Sequence, residues 1–527
     1  MSDREGVGAQ GSPDGGTDRV HAARGVAWGG LESAAGAVTG LVVTPLIIRS
    51  FGLEGLGLWA ASWSLAHSAG LFDLGIGASY ARFTASAITR RDARDLNGAV
   101  AAGIGFHLVI AALLALLALS VGPFVIIRLA PTEAMRPDAA WILSSAFAVV
   151  LLRLVLSAYR GVLAGAQRID LLGRIGASVT ILEGLGSVTI LLGGGSLMHL
   201  AWNSLAAAVL TSGLEAWRAH TVCPDLRVRP FCADRHQWRA MIDFGLKLQA
   251  VRAAELLAQH APRLILAAGP GLMIAGLYDL AARVARILMA LGRIPLPVVL
   301  PLATRLQALG DRRRLAILFE GATRYVALLI LPCAAVLLLD APAFLIAWTG
   351  DAATAAAATT ARLLIVTAVV TLLASPSRLV LRGLGYPGLE AVAAVGSTVV
   401  HLMLSLLLAP SFGAEGVAFG ALAGALTAAC VLAIGGRRVR PDLMTAPFCA
   451  SLARTLVAGF AGFAGAWVIR LSIAAPGLAQ VLDRPAALLR LLAESAGALT
   501  LFVIVALALG RLRRDDVALL RAVRGTV

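Results

Sequence analysis

Residues 44–83 read TPLIIRSFGLEGLGLWAASWSLAHSAGLFDLGIGASYARF. Two apolar stretches, each long enough to enter a bilayer, are joined by a tight glycine-rich turn around Gly52–Gly57. The second stretch ends in Asp73-Leu74-Gly75-Ile76-Gly77, followed by Tyr80 and Arg82. A carboxylate beside small glycines near membrane depth is costly and persists where it faces protein or water. The tract therefore predicts a polar path between helices rather than a plain membrane anchor.

The rest of the chain agrees. Hydrophobic residues make up 59% of it and charged residues 14%, with a mean hydropathy of +0.84, which excludes a soluble globular domain. A spanning helix needs about 20 mostly apolar residues, and only helices satisfy their own backbone inside lipid without the strand alternation of a barrel, which is absent. The predicted fold is an all-α integral membrane protein with about 14 transmembrane helices: roughly 27–48, 57–81, 98–126, 140–163, 171–192, 197–217, 241–268, 272–301, 317–339, 361–381, 389–409, 416–435, 447–470 and 488–510.

Arginine asymmetry orients these spans. With the N-terminus in the cytoplasm, the cytoplasmic segments carry 26 arginines and the opposite loops only Arg49, Arg128, Arg136 and Arg484. The positive-inside rule then places both termini in the cytoplasm. The formal net charge of +15 reflects topology and lipid headgroups, and no nucleic-acid partner is expected. Residues 1–26 are Gly-, Asp- and Ser-rich and read as a disordered cytoplasmic tail. Residues 218–240 form a cytoplasmic linker loop, and 511–527 a basic cytoplasmic tail.

Internal similarity divides the chain. Gly52-Leu53-x-x-x-Gly57-Leu58-Trp59 reappears as Gly271-Leu272-x-x-x-Gly276-Leu277-Tyr278, and Arg160-Gly161-Val162-Leu163 as Arg382-Gly383-Leu384-Gly385. The offsets agree, so 27–217 and 241–435 are predicted to be two six-helix repeats around a central cavity, with 447–510 adding two C-terminal helices. Repeats of this kind place a transport site near the midplane between them.

Charged residues inside the spans mark that cavity. Asp279, Arg283, Arg286 and Arg293 fall within about a quarter of one helix circumference. Gln249, Arg252, Glu255, Gln259 and Arg263 form a second stripe, with His260 beside it, and Arg153, Arg160, Arg378 and Arg382 lie on two further spans. Four such charges facing lipid would cost on the order of 10 kcal/mol, so they face a wet interior. Guanidinium forks suit phosphate oxygens. The alternative for the same residues is internal pairing, of Arg252 with Glu255 or Arg283 with Asp279. Asp73 is either a gating carboxylate or a helix cap, and Pro295, Pro297 and Pro301 either a hinge or a fixed kink.

The tract 44–83 resembles the start of the bacterial polysaccharide-lipid (O-antigen type) flippases of the multidrug/oligosaccharidyl-lipid/polysaccharide exporter superfamily. There a Pro-Leu-Ile-aromatic-Gly turn precedes a Leu-Asp-Leu-Gly-Leu-Gly segment, with Ile76 replacing the second of those leucines here. Gly413-Ala414-Glu415-Gly416-Val417-Ala418-Phe419-Gly420 extends the likeness. The resemblance implies alternating-access transfer of an undecaprenyl-pyrophosphate-linked oligosaccharide to the outer leaflet of the inner (cytoplasmic) membrane, for O-antigen, capsule or exopolysaccharide. Its expected partners are that lipid-linked oligosaccharide, membrane lipids and other polysaccharide-assembly proteins. Arg153, Arg160, Arg252, Arg263, Arg283, Arg286 and Arg378 are the candidates for the pyrophosphate, and Glu32, Asp73, Glu255 and Asp279 for gating or ion coupling. A lipid II flippase, a cation-coupled multidrug exporter and an assembly scaffold are the rival functions.

No enzyme is expected, because the chain has no phosphate-cradling loop or Ser/His/Asp set, and the long outer loop near 340–360 offers only Asp340 and Asp351. No cofactor or metal is expected either. His220, Cys223, Cys232 and His236 are zinc-type ligands, but their spacing is short and Pro224 and Pro230 interrupt it.

Overall fold

The computed structural model describes residues 15–129, 133–230, 234–443, 446–473 and 484–508. Those residues are overwhelmingly helical and include no strand. The first half holds α1 (Gly15–Ser68), α2 (Ile76–Thr89), α3 (Ala93–Leu129), α4 (Arg136–Gly165), α5 (Ile169–Leu192) and α6 (Leu197–Val222). The second holds α7 (Arg235–Ala268), α8 (Leu272–Gly292), α9 (Val299–Ala308), α10 (Arg312–Leu339), α11 (Ala341–Thr349), α12 (Ala358–Gly383) and α13 (Pro387–Val439). Then follow α14 (Ala446–Ile473) and α15 (Arg484–Ala508), which pack on each other and on α10.

The chain is a multi-pass all-α membrane protein. Among the described residues, nine helices are long and apolar enough to cross a membrane. Two of them, α1 and α13, are 54 and 53 residues long, far longer than one crossing requires. Each breaks at a glycine that leaves the helical region: Gly52 (φ 70, ψ −175) in α1 and Gly413 (φ 53, ψ −130) in α13. Charges interrupt the apolar runs of α7 and α8, which stand outside those nine.

Several elements differ from the sequence-based expectation. The helix starts at Gly15, so residues 15–26 are its first turns rather than a disordered tail; residues 1–14 lie outside the described residues. No proline interrupts the chain between Pro13 and Pro45, and once a helix is nucleated each further residue adds a hydrogen bond at little cost. The span expected over 57–81 stops at Ser68, passes through a 3-10 turn (Ala69–Asp73) and resumes as α2 after two residues in the left-handed region, Leu74 (φ 48) and Gly75 (φ 75). The span expected over 272–301 ends at Gly292, because prolines 295 and 297 cannot donate to the helical ladder. The 340–360 loop folds into α11 and a 3-10 turn (Ala352–Ala357). Pro342 in the first turn of α11 gives up an N–H that has no helical partner there.

The two repeats meet through their glycines. Gly52 and Gly271 (φ 115, ψ 172) adopt similar extended, positive-φ turns at equivalent positions. Equivalent interruptions follow: the 3-10 turn before α2 in one half, and 293–298 before α9 in the other. Gly161 of α4 lies against Tyr80 of α2, and Gly383 of α12 against Ala303 of α9. A Cβ on Gly57 would overlap the Leu272 carbonyl, and one on Gly276 would overlap the Leu53 carbonyl, so α1 and α8 touch backbone to backbone by the same contact in both directions. Toward the other end, Gly75 and Gly245 meet in the same way, and Ser79 Oγ donates to the Met241 carbonyl at 3.0 Å. The halves therefore seal against each other at two levels.

Replacing Gly276 with Leu is expected to force α1 and α8 apart and lower stability by about 1–3 kcal/mol. Gly30→Leu, where a Cβ meets nothing within 4 Å, should not. Thermal unfolding of the two purified variants in detergent checks the difference.

Candidate functional site

Between these two seals lies Asp279, a carboxylate with 4% of its side chain exposed. It sits on α8, one turn before Arg283. Arg263 Nε donates to its Oδ1 at 2.7 Å and Arg283 Nε to its Oδ2 at 2.8 Å; an Arg286 nitrogen stands 3.6 Å from Oδ1. Arg283 also donates to Thr44 Oγ1 at 2.9 Å, which joins α8 to α1. One carboxylate thus faces three guanidiniums, leaving an excess of two positive charges. Burying a carboxylate without such partners would cost several kcal/mol. Arg286 is half exposed (50%), so most of its donors remain free to meet a ligand.

Nearer the Gly75 seal, Asp73 has three partners. Its carboxylate accepts from the Gly77 N–H at 3.1 Å, capping α2, and pairs with Arg252 of α7 at 3.4 Å. It also accepts from Nε2 of His107 at 2.9 Å. The carboxylate can only accept, so Nε2 carries the proton and Nδ1 is left as acceptor toward the Tyr80 hydroxyl at 3.3 Å, since the Ser157 hydroxyl donates to the Leu154 carbonyl at 2.7 Å. Arg252 turns to Asp73 and not to Glu255, three residues along its own helix.

The remaining candidates fall into two groups, one in each half. In the first half Arg160 pairs with Glu215 at 3.2 Å. Arg153 and Glu32 lie close enough to act on Glu215 electrostatically, and Glu32 fills the space over Gly176 of α5. In the second half Arg382 grips Glu390 through two hydrogen bonds, and Arg378 lies 3.9 Å from the same carboxylate. Glu255, Arg378, Glu390 and His401 line a cavity of about 330 Å³ there. The repeat motif is thus matched by a repeated ion pair: Arg160 and Arg382, at equivalent positions, each hold a glutamate.

Of the candidates chosen from sequence, Arg263, Arg283, Arg286 and Asp279 come together, and Asp73 and Arg252 come together. Arg153, Arg160 and Glu32 stay with the first half, Arg378 and Glu255 with the second. Arg293 stands at the C-cap of α8. Sequence inspection missed His107, Glu215, Glu390 and His67; a histidine or glutamate inside an apolar run was the available signal. His67 stacks on His260 of α7 with ring centroids 5.3 Å apart and planes 15° from parallel. Among the described residues no group of three metal-ligating side chains gathers. Cys232, one member of the loop constellation, lies outside them.

Residues 22–307 match the model of a family described as polysaccharide biosynthesis protein. Among solved structures, the fold is similar to a lipid II flippase MurJ in an inward closed conformation, at 12% identity and a TM-score of 0.67, covering 91% of this chain and 99% of that one. It is also similar to an inward-facing multidrug resistance MATE family transporter of the MOP superfamily, at 17% identity and a TM-score of 0.59, covering 77% and 99%. A MOP superfamily transporter from Pyrococcus furiosus, described as having a binding pocket of reversed polarity, matches at 17% identity and a TM-score of 0.56, covering 81% and 97%. No curated protein matches the sequence. At these identities the structural likenesses establish the fold.

Asp279→Asn removes the one negative charge among three guanidiniums and is expected to destabilise the protein by about 3–5 kcal/mol. Adding Arg263→Gln should recover part of that loss, since one of the uncompensated cations then goes. Unfolding titrations of the two variants against the parent protein measure both effects.

Proposed function

We propose that this chain, which belongs to the polysaccharide biosynthesis protein family, is an alternating-access flippase. It moves undecaprenyl-pyrophosphate-linked oligosaccharide from the inner to the outer leaflet of the cytoplasmic membrane for surface polysaccharide assembly. The observation that carries this is the excess of two positive charges around Asp279. Such a cluster at membrane depth lacks a full complement of counter-ions, and a pyrophosphate supplies one. A drug exporter for cations is disfavoured by the same excess. The family's description, polysaccharide biosynthesis protein, supports the reading, and transport agrees with a chain whose charged groups line helix faces rather than a catalytic loop.

In this scheme both termini and the segment between α6 and α7, shorter at both ends than the linker expected over 218–240, are cytoplasmic, so the Gly57–Gly276 contact is the outer seal and the Gly75–Gly245 contact the inner one. Asp73 and Arg252 bridge the two halves at the inner seal, and their separation accompanies opening toward the cytoplasm. The diphosphate enters beside Arg286 and engages Arg263 and Arg283 as their hold on Asp279 loosens, while the polyprenyl tail stays in lipid. Lipid II carries the same pyrophosphate, so the cationic cluster suits it equally, and the products in the cell separate the two. Other polysaccharide-assembly proteins are the natural partners on either side of the step.

The double variant Arg283→Ala/Arg286→Ala should abolish transport while inserting normally. The assay is the leaflet position of lipid-linked oligosaccharide in cells depleted of the native protein and supplied with this variant. Cytoplasmic-side accumulation with loss of surface polysaccharide and normal peptidoglycan is expected. Peptidoglycan loss would assign lipid II instead, and unchanged lipid-linked sugar would overturn the flippase assignment.

A further inference from the structure

His67 lies in the last turn of the second arm of α1, which Ser68 joins to the 3-10 turn at Ala69–Asp73. His260 lies on α7, in the other half. Their imidazoles form a near-parallel stack, 5.3 Å between centroids and 15° between planes. It is a direct side-chain contact between the halves at a level between the two glycine seals. His67 Nδ1 lies 2.8 Å from the Trp63 carbonyl. A carbonyl only accepts, so Nδ1 carries the hydrogen and Nε2 is the basic nitrogen of the neutral ring. His260 Nδ1 is buried with no hydrogen-bond partner.

The charged groups that face this pair are cations. Arg153 of α4 and Arg263 of α7 act on His67, and Arg263 acts on His260. Asp279 of α8, the carboxylate that Arg263 holds, is already committed to Arg263 and Arg283. Two neutral imidazoles stack favourably here. Two imidazolium rings at the same separation would repel each other and both arginines, and a medium of low dielectric magnifies the repulsion. Histidine is the side chain whose charge changes in the physiological range, and a broken helix immediately follows His67. A protonated pair therefore relaxes most readily by moving α1 away from α7.

We propose that the His67–His260 pair is a proton-binding site whose occupation separates the two halves of the protein. The proton comes from bulk water and bonds to a ring nitrogen lone pair; no other bond changes. Loss of the proton restores the stack and the closed state. An anion bound at Arg263 and Arg286 offsets the added charge, so proton and anionic ligand favour the same opened state. The proposal rests on the alternating-access reading above, but its test contains no substrate, so its failure and the failure of the pyrophosphate assignment are distinguishable.

The test uses the purified full-length chain in lipid nanodiscs, with native cysteines replaced by serine and spin labels at positions 91 and 309, one exposed site in each half. Inter-label distances are measured by pulsed electron resonance from pH 8 to pH 4. The parent protein is expected to move from a single short distance to a longer one as the pH falls. His67→Phe/His260→Phe keeps two stacked rings and removes the titrating nitrogens; it should hold the short distance throughout. Arg153→Gln removes a like charge, eases protonation and should shift the transition to higher pH. A parent response that persists in the double Phe variant, or a parent protein with no response, overturns the proposal. If the Phe pair fails to fold, His67→Gln/His260→Gln gives the same comparison with hydrogen-bonding side chains.

Discussion

A charge placed where water is scarce must find a partner, and the arrangement of this molecule follows from that constraint. Asp279 is tolerable at its depth because Arg263 and Arg283 bond to its two oxygens and Arg286 stands close by. Those partners come from two helices, so the carboxylate fixes α7 against α8. Arg283 then reaches Thr44 and ties the pair to α1. The arrangement over-satisfies the anion and under-satisfies the cations. That asymmetry separates a structural salt bridge from a site with remaining capacity, because a half-exposed guanidinium such as that of Arg286 keeps donors that protein does not occupy.

The second organising element is backbone contact through glycine. Helix pairs in membranes approach closely where side chains are absent, and here the two closest approaches join one half to the other at different levels. The same Leu-x-x-x-Gly motif supplies both surfaces of one contact, Leu53 to Gly276 and Leu272 to Gly57. Interfaces made of carbonyls and Cα atoms hold few strong bonds, so they can part and re-form without stranding buried polar side chains. The polar bridges beside them, Asp73 with Arg252 and His67 with His260, are single contacts between the halves, each next to the interrupted helix at 69–75. The broken helix in each half gives the movement somewhere to happen.

Much of this was legible in the sequence. Apolar run length determined the helical membrane class, although only nine of the described helices are long and apolar enough to cross a membrane. The glycine turns at 52 and 271 are local backbone constraints, so they could be located residue by residue, whereas the prolines after α8 read as a hinge or kink within one span and in fact end it. The Arg283–Asp279 pair was also visible, being four residues apart on one helix face. The expected Arg252–Glu255 pair was not formed, although its spacing was equally suitable. A carboxylate 179 residues away competes better, because Asp73 brings with it a helix cap and a buried histidine.

The sequence by itself therefore determined that this is a helical membrane protein, that its glycine motifs recur and which helix faces carry charge. These properties depend on hydropathy and backbone freedom summed over neighbours in the chain. Only the tertiary structure decided which charges pair, that Arg263 reaches Asp279 from another helix, that Glu32 stays with the first half, and that His67 meets His260. Partner choice depends on how closely two helices approach and at what register. That is fixed by the shape of surfaces far apart in sequence, chiefly by the bare backbone at Gly57, Gly75, Gly245 and Gly276.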